Sequence, residues 1–178
     1  AIKVKSDGSK MWSYDLSINS NINKEGGFNS AVELSDSTIL LGGYTQDDTR
    51  KSSLIVKLNK DGSVLWEKEE YKNYSEECKF VSVNKYNEII TTCEKTPLGN
   101  IYLSSDLEIP LKRYDLDGNL LESYLLNNSK NIEHVKSILT SDNKIVVVGK
   151  SYNTELDISK CNTRSVVDEC LDSNSYIA

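Results

Sequence analysis

The chain has one histidine, one methionine, and four cysteines that never fall in Cys-x-x-Cys spacing. Structural zinc needs four closely spaced Cys or His ligands, so this composition argues against a zinc site. No apolar run approaches the roughly 18–20 residues of a membrane-spanning helix, so the chain is not expected to be transmembrane. No stretch carries a clear 3.6-residue apolar period, which leaves no predicted helix. Its 21 basic residues are scattered among 27 acidic ones, for a net charge of −6. Displacing counterions from a phosphate backbone needs clustered Lys and Arg, so nucleic acid is not expected as a partner. Hydrophobic residues make up 38% of the chain, little for one large core but enough for thin β-layers with modest apolar faces. The first residue is Ala, which fits a mature or excised segment.

What the sequence does have is repetition. SDGSKMW places Gly8 four residues before Trp12, KDGSVLW does the same for Gly62 and Trp66, and LDGNLLE carries Gly118 without a tryptophan. Asp7 lies 54 residues before Asp61, which lies 56 before Asp117. A second phrase keeps step: AVELSDSTILLGG from Ala31, VSVNKYNEIITTC from Val81 and SILTSDNKIVVVG from Ser137, with Gly43 and Gly149 closing the first and third. Self-similarity at this period means one supersecondary unit that needs its neighbours to bury an apolar face.

In the copy spanning 52–99, residues 54–58 read as a strand and Asp61-Gly62 as a tight two-residue turn of positive φ. Residues 64–68 return, and 80–83 and 88–92 form a second hairpin. The expectation is therefore four antiparallel strands per unit, all-β, in three four-stranded blades. The repeats run over about 1–51, 52–107 and 108–174, and Ser175 to Ala178 starts a further strand. Pro110 suggests an edge or a bulge in the third copy. Glu122 stands where Trp12 and Trp66 stand, which leaves Leu121 or Tyr124 to fill that space.

These phrases resemble bacterial β-propeller repeat proteins, and the Gly-x-x-x-Trp spacing is similar to the tryptophan-docking repeats of quinoprotein-type propellers. The resemblance implies propeller blades over nearly the whole chain. Three copies are fewer than the four to eight blades of a closed ring. The tryptophans would then be wedges between blades, and Gly8, Gly62, Gly118, Gly43 and Gly149 turn or close-packing positions. The resemblance also suggests an extracytoplasmic setting, secreted or on the cell surface, in which cysteines oxidise. Cys78 with Cys93 and Cys161 with Cys170 are the preferred bridges among three connectivities, the first contributing about 3 kcal/mol for its loop size. The alternative is four free thiols in a cytosolic protein. For Cys78 to face Cys93, Lys85-Tyr86 would form the loop and Ser82 would face Ile89.

Catalytic signals are thin. His134 has no accompanying nucleophile elbow. Arg50, Arg113 and Arg164 invite comparison with the arginine clamp of sialidase propellers, but they map to unlike places in the repeat. A quinone cofactor would require neighbouring cysteines and a calcium cradle, and neither is seen. Asp36 with Asp47-Asp48, and Asp168-Glu169 with Asp172, lack the ligand spacing of a calcium loop. No cofactor or metal is expected. Asn73-Tyr74-Ser75 and Asn127-Asn128-Ser129 have the form of glycosylation acceptors.

The function read from this is a non-catalytic binding or scaffolding module that meets a protein or glycan through its inter-strand loops. Those loops are 19–29, 45–53, 69–77, 96–107 and 152–175. One alternative is part of a propeller enzyme, a hydrolase or lyase working in the central channel. Another is a structural repeat that self-associates through open edge strands.

Overall fold

The computed structural model describes residues 1–16, 25–70, 72–97, 108–126, 132–152 and 173–177. Among these there are strands and turns but no helix. β1 (Ile2–Val4) and β2 (Lys10–Ser13) form a two-stranded sheet. β3 (Glu25–Glu33), β4 (Ile39–Gln46), β5 (Lys51–Leu58) and β6 (Val64–Glu70) form a four-stranded meander. β7 (Tyr74–Val83), β8 (Ile89–Pro97), β9 (Pro110–Tyr114) and β10 (Leu120–Leu125) repeat it. β11 (Ile132–Leu139), β12 (Ile145–Tyr152) and β13 (Ser173–Ile177) make a three-stranded sheet. Every pairing is antiparallel.

The strands group differently from the sequence reading. The phrases suggested one sheet from 54–58, 64–68, 80–83 and 88–92. Instead the sheet closes after β6, and the chain crosses to the next sheet between Glu70 and Tyr74. A period defines the length of a unit but not where the unit is cut. The cut was hidden because β4 joins β5 through a turn as tight as the Asp-Gly ones, with the Asp47 N–H on the Arg50 carbonyl at 3.0 Å. The loops expected at 45–53 and 69–77 are accordingly short, since strands occupy most of both.

Six hairpin turns share one geometry, beginning at Lys5, Leu34, Asn59, Asn84, Asp115 and Thr140. In each, the first residue accepts a hydrogen bond from the N–H three residues on and donates its own N–H to the carbonyl four residues on. The fourth residue has positive φ: Gly8, Gly62 and Gly118 in one set, Ser37, Asn87 and Asn143 in the other. This is a type I turn followed by a left-handed residue, a three-residue loop rather than the two-residue loop expected. Asp therefore does not need positive φ here; its carboxylate braces the turn. Asp7 accepts from the Ser9 N–H at 2.8 Å and hydroxyl at 2.7 Å, and Asp61 does the same for Ser63 at 3.0 and 2.6 Å. These bonds hold both carboxyls below the usual Asp range.

The longer loop changes the register. Val83, not Ser82, faces Ile89, and a bulge at Lys79 then absorbs one residue, so that Cys78 lies opposite Cys93. Pro110 is not on an edge: β9 lies between β8 and β10. It is the first residue of that strand, a tolerated position, and the pairing is interrupted beside it, between Thr92↔Leu111 and the isolated bridge Lys95↔Glu108.

The core is laid down in layers between sheets. Tyr14, Ile39, Leu41, Leu54, Val56 and Leu58 fill one face of the β3–β6 sheet. Leu40 and Ile55 fill the other, against Val81, Ile89 and Tyr114 of the next sheet. β4 and β5 are thus buried on both faces and read as continuous apolar runs. Each fully buried aliphatic side chain contributes about 1.5–3 kcal/mol. Two thin layers suffice, which is how 38% hydrophobic content supports the fold.

Candidate functional site

The first strands of three sheets lie next to one another: β7 rests against β3, β4 and β5, and β11 rests against β7 and β8. Each carries a bulge at the same place, with Asn29, Lys79 and Val135 lacking a cross-strand partner. A bulge re-aims side chains out of strict alternation. Here the three bulges surround a cleft of about 490 Å³. Asn29 and Ser30 from β3, Lys79 and Phe80 from β7, and 136–138 from β11 line it.

Behind the cleft sits Glu77. It accepts from Lys51 at 2.5 Å and Asn29 at 2.9 Å, and pairs with Lys79 at 3.2 Å. Burial works against its charge, but the Lys51 and Asn29 hydrogen bonds outweigh it and hold the carboxyl below its ordinary value of 4.5. Asn29 also donates to the Cys78 carbonyl at 2.9 Å, fixing the bulge of one strand to its neighbour. Ser137 is buried, with its hydroxyl 2.9 Å from that of Thr92. Lys136 is exposed at the mouth.

A second polar cluster lies between the two four-stranded sheets. Lys112, 4% exposed, pairs with Glu76, 1% exposed, and with Glu70 at 2.7 Å. Tyr114 donates to Glu70 at 2.7 Å and Ser53 to Glu76 at 2.7 Å. Burial pushes the Tyr114 phenol up, so it stays a donor. Glu76 Oε2 has no hydrogen-bond partner among the described residues. Two carboxylates and a lysine resemble acid-base machinery, but Glu76 and Lys112 are closed off by the sheets and engaged with each other. Their arrangement is that of a buried ion network. Burial opposes the Glu70 charge too, and hydrogen bonds from Lys112 and Tyr114 bring its carboxyl below 4.5.

A pH dependence follows from Glu70 and Glu77. A carboxyl depressed in the folded state contributes stability that is complete above its unfolded value and is lost as pH falls through the folded value. Melting temperature is therefore expected to be flat near neutrality and to fall steadily below about pH 4.5. Thermal melts by circular dichroism across that range check it, and Glu77→Gln should flatten the acid limb. An acid limb identical in wild type and E77Q would refute the assignment.

The predicted structural residues fall into equivalent places. The Trp12 indole N–H donates to the Lys60 carbonyl at 3.0 Å, and its ring lies over Gly62, where an added Cβ would come within 2.7 Å. The Trp66 indole N–H donates to the Leu116 carbonyl at 3.2 Å, and its ring lies beside Gly118. Both acceptors are the second residue of an Asp-Gly turn in the following sheet. Gly8 has positive φ with open space around it. Gly43 and Gly149 stand opposite Phe28 and His134, the position that Cys93 holds opposite Cys78. Glu122 pairs with Arg113 at 3.0 Å. Leu121 and Tyr124 do not fill a tryptophan's space, being 49% and 47% exposed. Leu121 is the bulged residue of β10, which turns it outward.

Cys78 and Cys93 are buried thiols facing across two strands. The hydrogen bond with Cys78, together with burial, pushes the Cys93 thiol well up. Cys161, Cys170, Arg164, the 168–172 acids and the Asn127 triplet lie outside the described residues. Arg50 donates to the Lys72 carbonyl and Arg113 is held between Glu88 and Glu122, so these two do not form a clamp. Asp36 and Asp47 brace their own turns through Thr38 and Thr49. No His, Cys, Asp and Glu group among the described residues could hold a metal ion, and no described helix is long and apolar enough to cross a membrane.

Sequence reading missed the cleft and the ion network. Glu76-Glu77 inside the strand YSEECKFVSV and Lys112 inside PLKRY were the available signals, charged residues in otherwise buried strands. The bulges left no sequence trace.

A family model described as "Domain of unknown function (DUF5122) beta-propeller" matches residues 34–64, from the turn after β3 to the first residue of β6. No curated protein matches the chain. The all-β antiparallel sheets and this match together support a β-propeller family.

Proposed function

We propose that the chain is a non-catalytic binding or scaffolding module of the tryptophan-docking propeller type. It would act outside the cytoplasm and meet a protein or glycan partner. The observation that carries this reading is the division of chemistry in the molecule. The strongly ionic groups are spent on one another between sheets, as Lys112 is on Glu70 and Glu76. The open cleft is lined by amide, hydroxyl, ammonium and aromatic groups that suit recognition and include no nucleophile-base pair. Immobilised glycan panels, read for retention, test it beside chromogenic glycosides and polyuronates, read for hydrolysis or unsaturated products. Retention without turnover is expected; turnover in either assay overturns the non-catalytic reading.

An oxidising setting carries its own expectation. Cys78 and Cys93 face each other across β7 and β8; oxidation by a disulfide donor such as oxidised glutathione would turn both thiols into one bridge and the donor into two thiols. Because the thiolate is the attacking species and Cys93 is held protonated, exchange is expected to be slow in the folded state. Mass spectrometry of the secreted chain under non-reducing conditions should find the Cys78–Cys93 linkage. Both thiols free to alkylation would count against the compartment proposed.

Self-association is a second reading, favoured by the outer edge strands. Val64 and Leu65 on β6 and Leu120, Leu121 and Leu125 on β10 are each 45–52% exposed. Unpaired strand edges with apolar side chains are templates for pairing. Sedimentation velocity over a concentration series tests it, and a constant monomer would exclude it.

A further inference from the structure

We infer that the cleft ringed by the three bulges is a binding site for a small organic anion, an oxyanion carried on a flat apolar body. This deepens the binding-module reading and rests on it. Three observations lead here. The first is the bulges themselves: Asn29 and Lys79 each give up a place in the ladder and line the cleft, and Lys136 follows directly on the third bulge. A bulge re-aims the side chains beside it, and here it puts the amide of Asn29 and the ammonium-bearing chain of Lys79 into one lining.

The second is charge. The chain is acidic overall, at −6, yet the cleft is lined by Lys79 and Lys136 and by no carboxylate. Glu77 stands behind the lining and is shared between Lys51 and Lys79, with Asn29 as a further donor. It fixes the Lys79 ammonium in position and leaves that group two further N–H donors. Lys136, at the mouth, brings a second cation to the same opening. Two lysines and no carboxylate in one lining favour a bound anion over water.

The third is the rest of the lining. Phe80 and Ile138 supply apolar surface in the same lining. The Ser30 hydroxyl accepts from the Val81 N–H at 3.2 Å, fixing its oxygen at the wall. A volume of about 490 Å³ falls within the range of small-ligand sites. The complementary molecule has an anionic head between Lys79 and Lys136 and a ring against Phe80. A carboxylate or a phosphate ester would satisfy that chemistry.

The test uses the full chain, isotope-labelled, titrated with benzoate, phenyl phosphate and the neutral benzyl alcohol while amide resonances are followed by NMR. The expected result is saturable shifts at Lys79, Phe80 and Ser137 with millimolar benzoate or phenyl phosphate. Benzyl alcohol should bind at least tenfold more weakly. Tighter binding of phenyl phosphate assigns a phosphate ligand, and tighter binding of benzoate a carboxylate. Lys79→Gln with Lys136→Gln should weaken the anions at least tenfold, whereas Lys144→Gln, on an exposed turn, should change nothing. Equal binding of benzyl alcohol, indifference to the double variant, or no shifts at these amides would overturn the site. Turnover in the glycan assays with anion binding intact would instead sink the non-catalytic reading and leave the site standing.

Discussion

Replacing Lys112 by methionine should cost about 3–5 kcal/mol, the range seen when one partner of a buried pair is removed. The chain length of the two side chains is close, so packing is largely kept. What changes is that Glu76, 1% exposed and already with one oxygen unpartnered, loses its cation, and Glu70 loses one of its donors. Urea unfolding followed by tryptophan fluorescence measures the effect. Lys112→Met combined with Glu76→Gln should recover part of the loss, because the uncompensated charge is then gone. A single variant within 1 kcal/mol of wild type would mean that the network is hydrated and of little weight.

Gly43→Ala should be as damaging, for a reason of space rather than charge. A Cβ at Gly43 would fall 1.9 Å from the Gly27 carbonyl oxygen and 2.8 Å from the Phe28 Cα, both backbone atoms that cannot swing aside. Strands β3 and β4 would have to part just before the Asn29 bulge. A loss on the order of 3–5 kcal/mol is expected, the upper tail for one substitution. Gly27→Ala is the matched control: its Cβ would meet the Tyr44 ring at 3.5 Å, an ordinary contact. Equal melting temperatures for the two variants would refute the argument. Cys93 occupies the position in the next sheet that Gly43 holds here, so the requirement belongs to this close approach and not to the repeat as such.

That contrast marks what a sequence can and cannot convey. Strand positions, the all-β class and the equivalence of Trp12 with Trp66 were legible because they depend on local pattern: alternation, Asp-Gly and fixed spacing. The grouping of strands into sheets was not, because the Asp47 turn and the Asp61 turn look alike as sequence and only packing decides which hairpins share a sheet. Register failed at Val83↔Ile89 by one residue for a related reason. A three-residue loop and a two-residue loop can both be written Asn-Lys-Tyr-Asn. The cleft was hidden more deeply, since Asn29, Lys79 and Lys136 resemble ordinary surface residues until the fold brings them into one lining.

The indoles give the molecule a direction. Trp12 reaches forward to the turn at 59–62 and Trp66 to the turn at 115–118, each sheet gripping its successor. At Glu122 the relay stops, and among the described residues the hydrogen bonds between the third and fourth sheets run from Thr92 to Ser137 and from Lys85 to Asn143. Heating should therefore unzip the array from that weaker seam, leaving the two indole-clasped junctions to melt last.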